Sequence, residues 1–180
     1  AMNANGFLDP NGGGDGSQLA GWCMSNGEGH GTHFADEAYQ RIELSENGFD
    51  CRIVPASDPV GEGTYSAAEF MPALIRAGKK LENQDWTGEQ PRACFGAGDQ
   101  GIYMLVIEGR YPDEGIRGTS VNTCADILLA YGCRNAINMD GGSSAILWYD
   151  GEYVTQSSSS PLRYTGGRPL PNAWVYKKAQ

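Results

Sequence analysis

The run Val121-Asn122-Thr123-Cys124-Ala125-Asp126-Ile127-Leu128-Leu129-Ala130-Tyr131-Gly132-Cys133-Arg134-Asn135-Ala136-Ile137-Asn138-Met139-Asp140-Gly141-Gly142-Ser143-Ser144 changes its period half-way. In its first half Val121, Cys124, Ala125, Leu128 and Tyr131 recur at helical spacing. Ser120 offers an N-cap oxygen and Gly132 a left-handed stop, so the spacing predicts one helix over 121–131. The second half predicts a strand from Arg134 to Met139, ending on a carboxylate, two glycines and two hydroxyls.

Outward from this run the signals are those of short strands. Ala93–Phe95 and Ile102–Ile107 enclose Gly96-Ala97-Gly98-Asp99-Gln100-Gly101, which spells the dinucleotide-binding fingerprint. A pyrophosphate needs a helix N-terminus after those glycines, whereas a strand follows, so the segment reads as a hairpin turn. Tyr39–Leu44 and residues 49–55 flank Ser45-Glu46-Asn47-Gly48, and Ala145–Tyr149 and Glu152–Thr155 flank Asp150-Gly151; both are hairpin patterns. Ser66-Ala67-Ala68-Glu69 fits a capping box, but Pro72 and Gly78 come soon after, which favours a strand at Ala73–Arg76 with a Gly-Lys turn. Residues 8–18 form a Gly-rich loop, 157–167 a polar loop, and Ala173–Tyr176 a closing strand. The expected fold is one α+β domain over residues 1–180, mainly antiparallel or mixed β-sheet with one clear helix packed on it.

Composition bounds the function. A chain of 180 residues that is 40% hydrophobic and 19% charged is long enough for one core, with about 70% of its unfolded surface buried. A net charge of −9 without a basic stripe argues against a nucleic-acid partner. No stretch reaches the ~20 apolar residues of a membrane span, and no signal-peptide pattern is visible. The opening Ala1-Met2-Asn3-Ala4-Asn5 reads as a strand already under way, as in a trimmed piece that lacks an upstream segment. Five cysteines without a C-x-x-C pair favour buried free thiols over a disulfide framework. Asp9, Asn11 and Asp15 are residue types of a calcium loop, but the twelfth position from Asp9 is Ala20 instead of a bidentate Glu. His30 and His33 sit in a Gly-rich stretch with no helix to align them, so surface histidines are favoured over zinc ligands. The four tryptophans are better explained by packing than by sugar stacking. No metal and no cofactor is expected.

The chemistry gathers at strand ends. Asp140 leads into Gly141 and Gly142, whose amides can be left bare for an anion, and Ser143 and Ser144 add hydroxyls. Glu108 and Arg110 stand at the end of another strand and Arg92 opens the one before it. Both arginines can fork onto a phosphate or carboxylate. Spacing alone leaves open whether they instead pair with Asp140 and Glu108 as scaffold.

Five segments together resemble the phosphodiester glycosidase family. They are Pro91-Arg92-Ala93 through Glu108-Gly109-Arg110, the 121–131 helix, Asn138 to Ser144, Gly167-Arg168-Pro169-Leu170-Pro171-Asn172-Ala173, and Phe70-Met71-Pro72-Ala73-Leu74-Ile75 with Gly78-Lys79. The opening Ala1–Phe7 looks like the family's first strand, with Asn3 on its motif asparagine. The likeness is thinnest over 27–64, and Glu108 stands where the family usually has Asp, one methylene shorter. The resemblance implies hydrolysis of a sugar-1-phosphodiester, such as a GlcNAc-α-1-phosphodiester or a phosphoglycan, to free sugar and a phosphomonoester. It implies Asp140 as base or nucleophile with Glu108 as partner or orienter. Arg92, Arg110, Gly141, Gly142, Ser143 and Ser144 then form the phosphate cradle, and Asn3 and Arg168 position the sugar or diester. It also implies an extracellular or cell-surface protein. Two other classes stay open: a glycan-binding module without catalysis, and a hydrolase with Ser143 or Ser144 as nucleophile.

Overall fold

The computed structural model describes residues 1–8, 15–48, 50–159 and 162–177. Its strands are β1 Met2–Asn3, β2 Trp22–Ser25, β3 Glu28–Gly31, β4 Gln40–Ser45, β5 Cys51–Pro55, β6 Thr64–Phe70, β7 Ala73–Arg76 and β8 Lys79–Lys80. They continue as β9 Arg92–Gly98, β10 Gly101–Ile107, β11 Cys133–Met139, β12 Trp148–Tyr149, β13 Glu152–Tyr153 and β14 Ala173–Trp174. One α-helix, α1, spans Val121–Ala130. Two five-stranded sheets carry the fold, in the orders β10-β9-β11-β7-β8 and β3-β2-β6-β4-β5. Every described strand pair is antiparallel.

The first sheet is covered on both faces, and side-chain alternation shows how. Ala93, Phe95, Ile137 and Met139 point towards Ile42, Leu44, Ile53 and Ala68 of the second sheet. Their neighbours Cys94 and Ala136, with Leu74, point the other way into Val121, Cys124, Ala125 and Leu128 of α1. The layers therefore run helix, sheet, sheet, and all seven residues of β9 are buried. The helix starts where its sequence says: Ser120 Oγ accepts from the Thr123 amide at 3.2 Å. It ends at Tyr131, and Gly132 closes it with its amide on the Leu129 carbonyl.

The Gly96–Gly101 segment is a hairpin turn in which Gly98 pairs with Gly101. Both flanking strands run longer than the apolar cores that announced them. Strand β7 occupies Ala73–Arg76 as expected, while the capping-box residues Ser66–Glu69 lie inside β6. The hairpin around Asp150-Gly151 is shorter than expected, because Leu147 turns aside to bridge to Met2 and its amide bonds Thr155 Oγ1. The closing strand is likewise cut to Ala173–Trp174, paired with β1. Of the calcium-like residues, Asp9 and Asn11 lie outside the described residues, and the Asp15 carboxylate accepts from the amide and hydroxyl of Ser17. The cysteines are free thiols, with Cys94, Cys124 and Cys133 buried, and no helix among the described residues is long and apolar enough to cross a membrane.

The second sheet buries charge. Arg41 has no exposure and donates to Glu43 at 2.7 Å and to the carbonyls of Ala56 and Asp58, both at 2.8 Å. Glu43 also accepts from Arg52, Gly61 and Thr64. Burial pushes the Glu43 carboxyl up, but Arg52, Arg41 and Thr64 together outweigh it and hold the group below the usual range.

Candidate active site

Asp140 is the residue that follows the end of β11 at Met139. Its amide bonds the Ala4 carbonyl at 3.1 Å. Asn3, which is 3% exposed, donates Nδ2 to the Asp140 carbonyl at 2.6 Å and accepts from the Ile146 amide at 3.1 Å. Both ends of that side-chain amide are thus engaged in holding the backbone on either side of the Asp140–Ile146 turn.

The glycines after Asp140 permit a tight passage. A Cβ on Gly141 would stand 2.7 Å from the Pro91 carbonyl oxygen, and Gly142 has φ +56° with the Arg110 guanidinium 3.0 Å from where its Cβ would be. The Gly142 amide bonds the Pro91 carbonyl, and the Ser144 amide bonds the Gly141 carbonyl. These two donors close the turn instead of lying bare, and the Gly141 amide is directed at the Asp140 carboxylate.

Three side chains converge. Arg168 Nη2 donates to Ser144 Oγ at 2.9 Å, and the Ser144 hydroxyl lies close enough to the Asp140 carboxyl to favour its ionised form. The Arg168 guanidinium lies over the Phe7 ring at 4.5 Å, and its Nε is buried with no hydrogen-bond partner among the described residues. Burial pushes the Asp140 carboxyl up, and Ser144, Arg168 and the Gly141 amide only partly offset it. Asp140 and Arg168 open into a cavity of about 350 Å³ whose walls include Phe7, Phe34, Tyr39 and Phe70. A carboxyl with a raised pKa beside a cation with an unused donor, in an aromatic-walled hollow, suits proton transfer next to an anionic leaving group.

The other expected site residues sit elsewhere. Arg92 is 6% exposed and donates to the carbonyls of Thr119 and Gly88, with Trp86 at 5.8 Å. Arg110 is exposed, covers Gly142 and bonds Gln90 Oε1 at 2.9 Å. Glu108 accepts from the Gln156 amide at 2.6 Å. The Ser143 hydroxyl accepts from Ser158 at 3.5 Å and its carbonyl accepts from Ser157. Neither arginine pairs with Asp140 or Glu108 among the described contacts. The aromatic wall escaped sequence reading, because Phe7, Phe34, Tyr39 and Phe70 share no spacing and belong to different segments.

The family model for phosphodiester glycosidase matches residues 1–177. The chain belongs to the phosphodiester glycosidase family. Among solved structures the chain resembles the zebrafish N-acetylglucosamine-1-phosphodiester α-N-acetylglucosaminidase catalytic domain auto-inhibited by its pro-peptide. The TM-score is 0.64 at 16% identity, over 94% of this chain and 60% of that one. It also resembles a hypothetical protein from Synechocystis, with a TM-score of 0.54 at 16% identity, over 87% of this chain and 48% of that one. At such identities the likeness is one of fold, and the chain spans 60% of the first structure and 48% of the second, under two thirds of each. No curated protein matches the chain.

Proposed function

We propose that the chain hydrolyses a sugar-1-phosphodiester, GlcNAc-α-1-phosphodiester being the reference substrate, to free sugar and a phosphomonoester. The observation that carries this reading is the Asp140–Ser144–Arg168 cluster, with the unpartnered Arg168 Nε, at the base of the aromatic cavity. The bond broken joins the anomeric carbon to a phosphate oxygen through an oxocarbenium-like transition state. Phosphate leaves as an anion, so a fixed cation at the departing oxygen helps more than a strong acid. Arg168 is the group for that task. Asp140 acts at the anomeric carbon, as the base that takes a proton from the incoming water or as the nucleophile. Asn3 and Gly141 hold Asp140 in place, Glu108 holds the Gln156 amide, and Arg110 covers Gly142.

A serine nucleophile is less well supported. Ser144 is fully buried with its oxygen between Arg168 and Asp140, and His33 is bonded to Glu69 instead of to either serine. The test is sugar release from GlcNAc-α-1-phosphodiester by the parent and by Asp140→Asn. Release by the parent alone supports the reading. A folded, active Asp140→Asn protein overturns the role of Asp140, and a folded parent that binds the diester without cleaving it would be a glycan-binding module.

A further inference from the structure

Glu69 lies in β6 with no exposure, far along the chain from every residue of the catalytic cluster. Its carboxylate takes the Trp22 and Phe34 amides, both at 3.1 Å, Arg41 Nη1 at 3.4 Å, and His33 Nδ1 at 2.6 Å. A buried carboxylate with this many donors is a fixed point, because breaking any one bond leaves a charge poorly compensated. Two of its partners, His33 and Phe34, are consecutive residues in the irregular segment between β3 and β4. That segment has no ladder of its own: backbone bonds fix its ends, Thr32 on the Gly21 carbonyl and Ala56 on the Tyr39 carbonyl, and between them Glu69 anchors His33 and Phe34.

The segment supplies the cavity's wall. The Phe34 ring stacks on Tyr39 with centroids 3.6 Å apart, and Tyr39 meets Phe70 edge-on at 6.3 Å. All three line the cavity that holds Asp140 and Arg168. From the opposite side, Gly21 (φ +82°) leaves the space that the Phe34 ring fills: a Cβ there would lie 2.2 Å from Phe34 Cε2. The ring is therefore held by an anchor at its own backbone and by the room that a glycine leaves opposite.

We propose that Glu69 is a positioning residue that fixes Phe34 as a sugar-facing wall of the active site. Through that wall it sets the affinity for substrate and leaves the bond-breaking step alone. The inference rests on the reading of this cavity as a glycosidase site. Sugar rings present C–H faces that pack on aromatic rings, and a wall that touches the ring equally before and during reaction changes KM with little effect on kcat.

The experiment is a double-mutant cycle of Glu69→Gln and Phe34→Ala on GlcNAc-α-1-phosphodiester. Each single change is expected to raise KM about tenfold with kcat kept within about threefold, and the double variant to be no worse than Phe34→Ala. A loss of folded protein would instead lower kcat at constant KM. An unchanged KM in folded Glu69→Gln, or effects that multiply in the double variant, overturns the proposal. Should Glu69→Gln not fold, Gly21→Ala displaces the ring with Glu69 intact, and a normal KM there overturns it equally. If the parent releases no sugar, the functional reading fails on its own. The positioning claim is then read from the nuclear Overhauser contact between the Phe34 and Tyr39 rings, expected in the parent and lost in Glu69→Gln; its persistence overturns the claim.

Discussion

Asp140 and Arg168 bear on folding as well as on the chemistry proposed for them. The raised pKa of Asp140 means that the folded protein binds its proton more tightly than the unfolded chain does. This carboxyl therefore favours folding while protonated and opposes it increasingly as pH rises through its folded value. Asp140→Asn should abolish turnover and yet melt no lower than the parent at pH 7, with any advantage shrinking towards pH 4. If the ionised form is the working one, the acid limb of kcat/KM should lie above the 3.8 of an ordinary aspartate, which a pH profile measures directly. Arg168→Gln keeps a donor for Ser144 but removes the charge, and kcat/KM should fall about ten- to a hundredfold. Full activity in that variant would exclude Arg168 as the phosphate partner.

At the scale of elements, what could be read from the sequence was whatever local chemistry decides. The helix was legible from its cap and period, since Ser120 and Gly132 act within one turn of themselves. Ser120→Ala should cost about 1 kcal/mol, a drop in melting temperature of roughly 2–4 °C, with turnover per folded molecule unchanged. The Gly96–Gly101 turn was legible because the strand after it rules out a phosphate loop. Strands β2, β3 and β6 were not, as β3 is exposed along its length and β6 contains a helix-start signal at Ser66–Glu69. That signal loses because Glu69 is required as a buried acceptor, a demand made by residues 22, 33, 34 and 41 and invisible within its own window. The site was legible in the same uneven way. Asp140 and Ser144 share one turn and were found together, and Arg168 entered only through family likeness. The glycine amides looked free in the sequence because nothing local announces that Pro91 will take one of them.

The whole molecule joins two differently built halves. The helix-backed sheet is almost wholly apolar inside, whereas the second sheet carries the Arg41–Glu43–Arg52 and Glu69 charges. Acid should weaken the second half first. The folded pKa of Glu43 is depressed, so its contribution to stability is complete above the unfolded value near 4.5 and is lost as pH falls through the folded one. Glu43→Gln should be destabilised at pH 7 by about 3 kcal/mol, as expected for breaking a buried pair. The gap to the parent should narrow below pH 4.5 in denaturant titrations, and a gap constant with pH would refute the charge network as its source.

Asn3 reaches 137 residues along the chain to Asp140, and Arg168 reaches back 24 to Ser144. The centre is thus assembled from the first strand and from a segment just before β14. During synthesis both sheets and the helix can form while Arg168 is still inside the ribosome, so a chain at that stage has most of its fold and lacks one member of the Asp140–Ser144–Arg168 cluster. A protease that nicks the stretch before Arg168 and lets the tail depart would return the cluster to that incomplete state and would also strip Trp174 from the core, where its ring stacks on Phe95 at 3.8 Å.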